Sequence, residues 1–137
     1  MNKMFLRVSA ISCNESFVRT CVAAFMLGAD PTVEEINDVK TAVSEAVTNS
    51  IVHAYPDGGG EITIECELTE DYIKIIISDF GIGIESVEKA LTPFFTTKGD
   101  EERSGLGFTI IKSFMDEFSI ESKVSVGTTL TLTKRIA

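Results

Sequence analysis

EITIECELTEDYIKIIISDFGIG, Glu61 to Gly83, is the stretch on which the fold turns. Its two halves, EITIECEL and YIKIIISDF, each alternate apolar and polar residues with the period of a strand buried on one face. Only Thr69-Glu70-Asp71 lies between them, so they read as an antiparallel hairpin. Ile62, Ile64 and Cys66 then face the core together with Ile73, Ile75 and Ile77.

Toward the N-terminus, residues 3 to 10 also alternate, and Leu6, Val8 and Ala10 share one face of a first strand. Ser12 and Glu15 have the S-x-x-E spacing of a capping box; it opens a helix with Phe17, Cys21, Ala24 and Phe25 on its inner side and Gly28 at its end. Thr32 and Glu35 repeat the box. The helix they open runs to about Tyr55, where Pro56 stops it. Its inner face carries Ile36, Val39, Val43, Ala46, Val47, Ser50, Ile51 and Ala54, and Glu45, Thr48, Asn49 and Val52 lie opposite.

Beyond the hairpin, a short helix is expected near Ser86 to Leu91, followed by a polar loop from Thr92 to Ser104. GLGFTIIKSFMDEF is helical, with Leu106, Ile110, Phe114 and Met115 inward. Two closing strands, around Phe118 to Lys123 and Thr128 to Lys134, turn at Gly127. Strands that cluster in hairpins predict an α+β fold: a two-layer α/β sandwich with an antiparallel or mixed sheet of about five strands covered on one face by helices. Residues 1–137 are expected to form a single domain.

Composition narrows the function. Twelve basic residues against 21 acidic ones give a net charge of −9, which repels a phosphate backbone and suits a basic protein partner, so no direct nucleic acid contact is expected. No apolar run approaches the roughly 20 residues of a membrane span, and a cytoplasmic protein is expected. With one histidine, His53, the chain offers neither a His-rich zinc site nor a Ser/His/Asp triad. Cys13, Cys21 and Cys66 have no metal spacing and read as reduced residues in or near the core.

Four constellations carry candidate chemistry. Glu45 and Asn49 stack one turn apart on a helix face, although asparagine is a mediocre helix former; alone, the pair reads as a solvated face. DFGIG, Asp79 to Gly83, places a carboxylate and two glycines at a strand end, where an ordinary strand-exit turn has the same letters. Its Asp-Phe-Gly is not the protein-kinase triplet, because no V-A-I-K strand or H-R-D loop accompanies it. RSGLGF, Arg103 to Phe108, opens a helix with free amides suited to phosphate, or is simply a loop-to-helix junction. GTT, Gly127 to Thr129, suits a hairpin turn.

In order and together, these four resemble the Bergerat ATP-binding fold of gyrase B, MutL, heat-shock chaperones and histidine kinases. Glu45 and Asn49 match its asparagine box, Asp79, Gly81 and Gly83 its first glycine box, Gly105 and Gly107 its second, and Gly127-Thr128 its last segment. NESFVR, DPTVEEINDVKTAVSEAVTNSIVHAY, PFFTTK, ERSGLGFTI and SFMDEFSIES are similar to segments of the bacterial anti-sigma factor serine kinases, over essentially the whole chain. Phe80, where relatives usually carry a polar residue, and PDGGG at 56 to 60 depart from that pattern.

The resemblance implies roles for particular residues. Asn49 would hold Mg2+ on the phosphates of ATP, Asp79 would read the adenine amine with Thr128 in support, and Glu45 would orient and deprotonate a serine hydroxyl. Ser104, Gly105, Leu106, Gly107 and Phe108 would hold the phosphates, with Thr97, Lys98 and Arg103 on a nucleotide lid. The implied partners are a sporulation sigma factor of the sigma F type, contacted through Arg19, an anti-anti-sigma factor, and a second copy of the chain across the edge of the first strand. Two other readings stay open: a nucleotide-gated binding module without kinase activity, and a detached histidine-kinase catalytic domain, which the absence of a phosphoacceptor helix disfavours.

Overall fold

The computed structural model describes residues 1–87, 91 and 107–137. In chain order its elements are β1 (Asn2–Ser9), α1 (Cys13–Met26), α2 (Val33–Asn49), a π-helical turn (Ser50–Ala54), β2 (Glu61–Leu68), β3 (Tyr72–Asp79), α3 (Gly107–Phe114), β4 (Glu117–Lys123) and β5 (Gly127–Arg135). The hairpin forms as its pattern predicts: Ile64 stands opposite Ile77 and Cys66 opposite Ile75. β1 adds to the free side of β2, and the sheet order is β1-β2-β3-β5-β4 with every pair antiparallel. The helices cover one face, and the core lies between layers, built from Ile62 and Ile64 of β2, Ile73, Ile75 and Ile77 of β3, Leu130 and Leu132 of β5, and Val39, Val43, Ala46 and Val47 of α2. The short helix near 86–91 and the polar loop 92–104 fall largely or wholly outside the described residues. No helix among the described residues is long and apolar enough to cross a membrane.

The Thr32 box is present in full. The Glu35 amide donates to Thr32 Oγ1 at 3.1 Å, and Glu35 Oε1 accepts from the Thr32 amide at 2.8 Å. Glu35 Oε2 also accepts from the Ala137 amide, so the backbone amides of Thr32 and Ala137 together hold its carboxyl below the usual range. Thr32→Ala is expected to cost about 1 kcal/mol, read as a lower urea midpoint. An unchanged midpoint would mean that this cap contributes nothing.

The first box does not form. Ser12 has helical backbone angles (φ −60, ψ −31) instead of the extended conformation that aims a hydroxyl at the first turn, and its side chain makes no cap bond. Glu15 instead accepts from Ser44 Oγ at 2.8 Å and pairs with Arg19 at 3.4 Å. The buried face of α1 is Val18, Val22 and Met26, leaving Phe17 50% exposed and Ala24 exposed. α1 is apolar over most of its circumference, so its period was readable but not which stripe meets α2. Its end is set by Asp30, which takes the left-handed conformation at φ 53; Gly28 sits in the preceding 3₁₀ turn. Cys13 is exposed, against the expectation of a near-core residue, because it begins the helix, whereas burial pushes the Cys66 thiol up to about 12.

α3 is likewise rotated from expectation. Gly107, Ile111 and Met115 are buried, Ile110 is half-buried, and Phe114 is 37% exposed. α3 packs beside α2. Lys134 Nζ bridges the two, donating to Asp38 Oδ2 and to the Phe114 carbonyl, both at 2.9 Å.

Candidate functional site

The second half of α2 positions the site. At Ser50 the helix widens into the π turn, which Tyr55 and Pro56 then end. The carbonyl of Ala54, the last residue of that turn, accepts from the Ile82 amide at 3.0 Å. A side chain at 81 would place its Cβ 2.1 Å from the same oxygen, so the chain leaving β3 can lie against the turn only if residue 81 is glycine. Tyr55 completes the junction: its hydroxyl accepts from the Phe80 amide and donates to the Glu61 carbonyl, each at 2.7 Å.

Asp79 is the next inward position after Ile73, Ile75 and Ile77, so strand alternation delivers its carboxylate under the helix layer. It is 5% exposed. Oδ1 accepts from the Gly81 amide at 3.1 Å and the Thr128 amide at 3.3 Å, and Oδ2 accepts from Ser50 Oγ at 3.2 Å. Burial raises its pKa above the ordinary value of 3.8, although all three donors oppose the shift. A buried carboxylate with a remaining lone pair on Oδ2 is a fitting acceptor for an exocyclic amine.

Thr128 stands opposite Asp79 in the β3–β5 register. Its hydroxyl shares a 2.7 Å hydrogen bond with Ser122 Oγ, which also donates to the Gly127 carbonyl and accepts from the Ile84 amide. Gly83 (φ +75) lies against the Lys123 carbonyl, and the Ser125 amide donates to the Ile82 carbonyl at 2.8 Å. The turn between β4 and β5 thus closes on the glycine loop after β3. Its left-handed residue is Ser125 at φ 66, before Gly127 at φ 140.

Asp79, Gly81, Gly83 and Thr128 are therefore brought together at the end of α2. Glu45 and Asn49 are half-buried on α2. The Asn49 side chain makes no hydrogen bond among the described residues, and its amide oxygen fits the role of a hard-metal ligand beside a phosphate. The described residues contain no group of three His, Cys, Asp or Glu side chains placed to hold a metal by themselves. Gly107 is buried at the start of α3, and Phe108 packs its ring 6.0 Å from that of Phe118. Thr97, Lys98, Arg103, Ser104, Gly105 and Leu106 lie outside the described residues.

Arg19 is half-buried on α1 and tied to Glu15, which bonds Ser44, the neighbour of Glu45. Ser50, Tyr55 and Ser122 were not singled out as site residues. For Ser50 and Ser122 a signal existed: each is a polar residue at an inward position of an otherwise apolar helix face or strand face.

Residues 14–134 match the histidine kinase-like ATPase domain family. Among curated proteins, the anti-sigma F factor of Clostridium novyi is 53% identical over 98% of this chain and 95% of its own length. That of Clostridium acetobutylicum is 52% identical over 99% and 95%, and that of Bacillus licheniformis 47% over 99% and 94%. Among solved structures, one of the RsbU and RsbW domains of a Mycobacterium tuberculosis protein superposes with a TM-score of 0.71 at 20% identity, covering 99% of this chain and 33% of that one. The mycobacterial sensor histidine kinase MprB gives 0.59 at 19% identity over 74% of each chain. These likenesses agree with the two-layer fold described above. With near-complete coverage at about half identity and the matching ATPase domain, the chain belongs to the anti-sigma F factor family.

Proposed function

We propose that this chain binds ATP with Mg2+, holds a sporulation sigma factor of the sigma F type away from RNA polymerase as a homodimer, and phosphorylates a serine of an anti-anti-sigma partner in the cytoplasm. The observation that carries the reading is the buried Asp79 carboxylate, held by Ser50, Gly81 and Thr128 where α2, β3 and β5 meet. Bound there, ATP supplies the phosphoryl group, and Mg2+ neutralises its charge.

The residues of the chain do the positioning. Asp79 accepts from the adenine amine, with Thr128 beside it. Asn49 would hold the metal, and Glu45, one turn earlier, orients the serine hydroxyl and takes its proton as that oxygen accepts the phosphoryl group and ADP leaves. Such transfer depends mainly on alignment and charge compensation, which suits a site whose reactive side chain is a single carboxylate. The resemblance assigns amides of Gly105, Leu106, Gly107 and Phe108 to the phosphates together with Ser104, and a nucleotide-lid role to Thr97, Lys98 and Arg103; of these, Gly107 and Phe108 lie within the described residues. The outer edge of β1, at one end of the sheet, is the dimer edge. A net charge of −9 suits a basic sigma surface, which Arg19 contacts.

The test is a labelled-ATP assay with a purified anti-anti-sigma partner, paired with a pull-down of the sigma factor. Label should reach the partner and fall by a factor of about 100 or more in Glu45→Gln, while ATP binding persists. Arg19→Ala should lose sigma with ATP affinity unchanged. Undiminished transfer in Glu45→Gln would remove that residue from the chemistry. ATP binding without transfer by the wild type would favour the nucleotide-gated binding module.

A further inference from the structure

Four polar or charged residues are buried among the described residues, Ser50, Thr63, Asp79 and Thr128, and three of them meet at one point. Two of those three have an assigned part in nucleotide recognition, and Ser50 has none. We propose that Ser50 is a positioning residue that sets base specificity, orienting the Asp79 carboxylate and keeping it an acceptor so that the pocket takes adenine over guanine nucleotides. This rests on the reading of Asp79 as the contact to the base.

The two carboxylate oxygens are held differently. Oδ1 is fixed by backbone: the Thr128 amide comes with the sheet register, and the Gly81 amide with the turn that follows β3. Oδ2, the oxygen with capacity left for a ligand, is held by the Ser50 hydroxyl at 3.2 Å. A hydroxyl that donates to Oδ2 occupies one lone pair and leaves another pointing elsewhere. It also favours the ionised carboxylate, which only accepts. An acceptor matches the exocyclic amine of adenine and opposes the carbonyl oxygen that guanine carries at the same position. A protonated Asp79 would present an O–H and lose that discrimination.

The local fold fixes Ser50 in place. Ser50 opens the π turn whose last carbonyl bonds Ile82 and packs on Gly81, so helix and glycine loop are joined at both ends of that turn. The distance from Ser50 to Asp79 is therefore set by backbone contacts and not by a mobile side chain. Ser50 is also 5% exposed, which leaves little room for it to swing away.

The experiment titrates the full chain with ADP and with GDP, both in magnesium, and compares wild type, Ser50→Ala, Ser50→Cys and Asp79→Asn. Ser50→Ala should reduce the ADP-to-GDP affinity ratio about tenfold, the scale of one hydrogen bond to a charged group. Ser50→Cys keeps the volume but donates weakly, so it should follow the alanine variant. A wild-type ratio in Ser50→Ala overturns the proposal, and so does full restoration by cysteine, which would reduce Ser50 to a packing role. If Asp79→Asn loses ADP while the Ser50 variants keep the ratio, only the assignment of Ser50 fails. If Asp79→Asn binds ADP as well as wild type does, the underlying assignment of Asp79 fails, and this one with it.

Discussion

Asp79→Asn is expected to weaken adenine nucleotide binding about a hundredfold while raising the melting temperature of the nucleotide-free chain. Both effects follow from burying a carboxylate. Asparagine is nearly isosteric; its Oδ1 keeps the Gly81 and Thr128 amides, and its Nδ2 donates to Ser50 Oγ, which reverses its role and accepts. The donor that then faces the base opposes an adenine amine, and the charge-assisted bond is lost. For the fold the sign is opposite. Burial holds the Asp79 pKa above its ordinary 3.8, so between that value and the raised one the native state binds more protons than the unfolded chain. Stability therefore falls as pH rises through that window and stays lower above it. Asparagine has no charge to bury and escapes this penalty. Calorimetry without nucleotide should show the variant melting higher at neutral pH, with the gain shrinking as pH is lowered through the window. A lower melting temperature at neutral pH would show that the carboxylate stabilises the fold, contrary to this account.

Gly127→Ala should be among the most damaging single methyl groups that can be added near the site. Gly127 has φ 140, and a Cβ there would lie 2.1 Å from the Asp79 carbonyl oxygen and 2.9 Å from Phe80 Cα, both backbone atoms that cannot turn aside. Relief requires β5 to move off β3 where Thr128 pairs with Asp79, which also draws the Thr128 amide away from the carboxylate. A loss of about 3 kcal/mol is expected, or roughly 10 °C in melting temperature for a domain of this size, together with weaker nucleotide binding. Gly58→Ala is the control, since Gly58 has φ 78 with nothing within 4 Å of its Cβ position and should lose only about 1 kcal/mol. If the two variants melt together, the contact with the Asp79 carbonyl is not what demands glycine at 127.

The hairpin shows what could be read without coordinates. Alternation along β2 and β3 and a three-residue connection leave one register that buries Ile62, Ile64, Ile73, Ile75 and Ile77 together, and the same parity carries Asp79 inward. The Thr32 box was legible because its two hydrogen bonds join residues three apart. Ser12 and Glu15 have the same spacing and failed, because Ser44, 29 residues from Glu15, competes for its carboxylate and Arg19 pairs with it.

By itself, the sequence determined the period of the strands and main helices, the clustering of strands in hairpins that gives an antiparallel or mixed sheet, the inward parity that Asp79 shares with the isoleucines of β3 and the family resemblance carried by the ordered motifs. Tertiary structure alone decided which stripe of α1 and α3 is buried, where the helix widens at Ser50, and that Ser50, Ser122 and Tyr55 serve the junction around Asp79. The physical reason is range: strand parity and capping are contacts within a few residues, which the order of letters encodes. The rotation of a helix and the partners of a buried hydroxyl are settled instead by groups such as Ser50 and Asp79, 29 residues apart, that meet only when the layers pack.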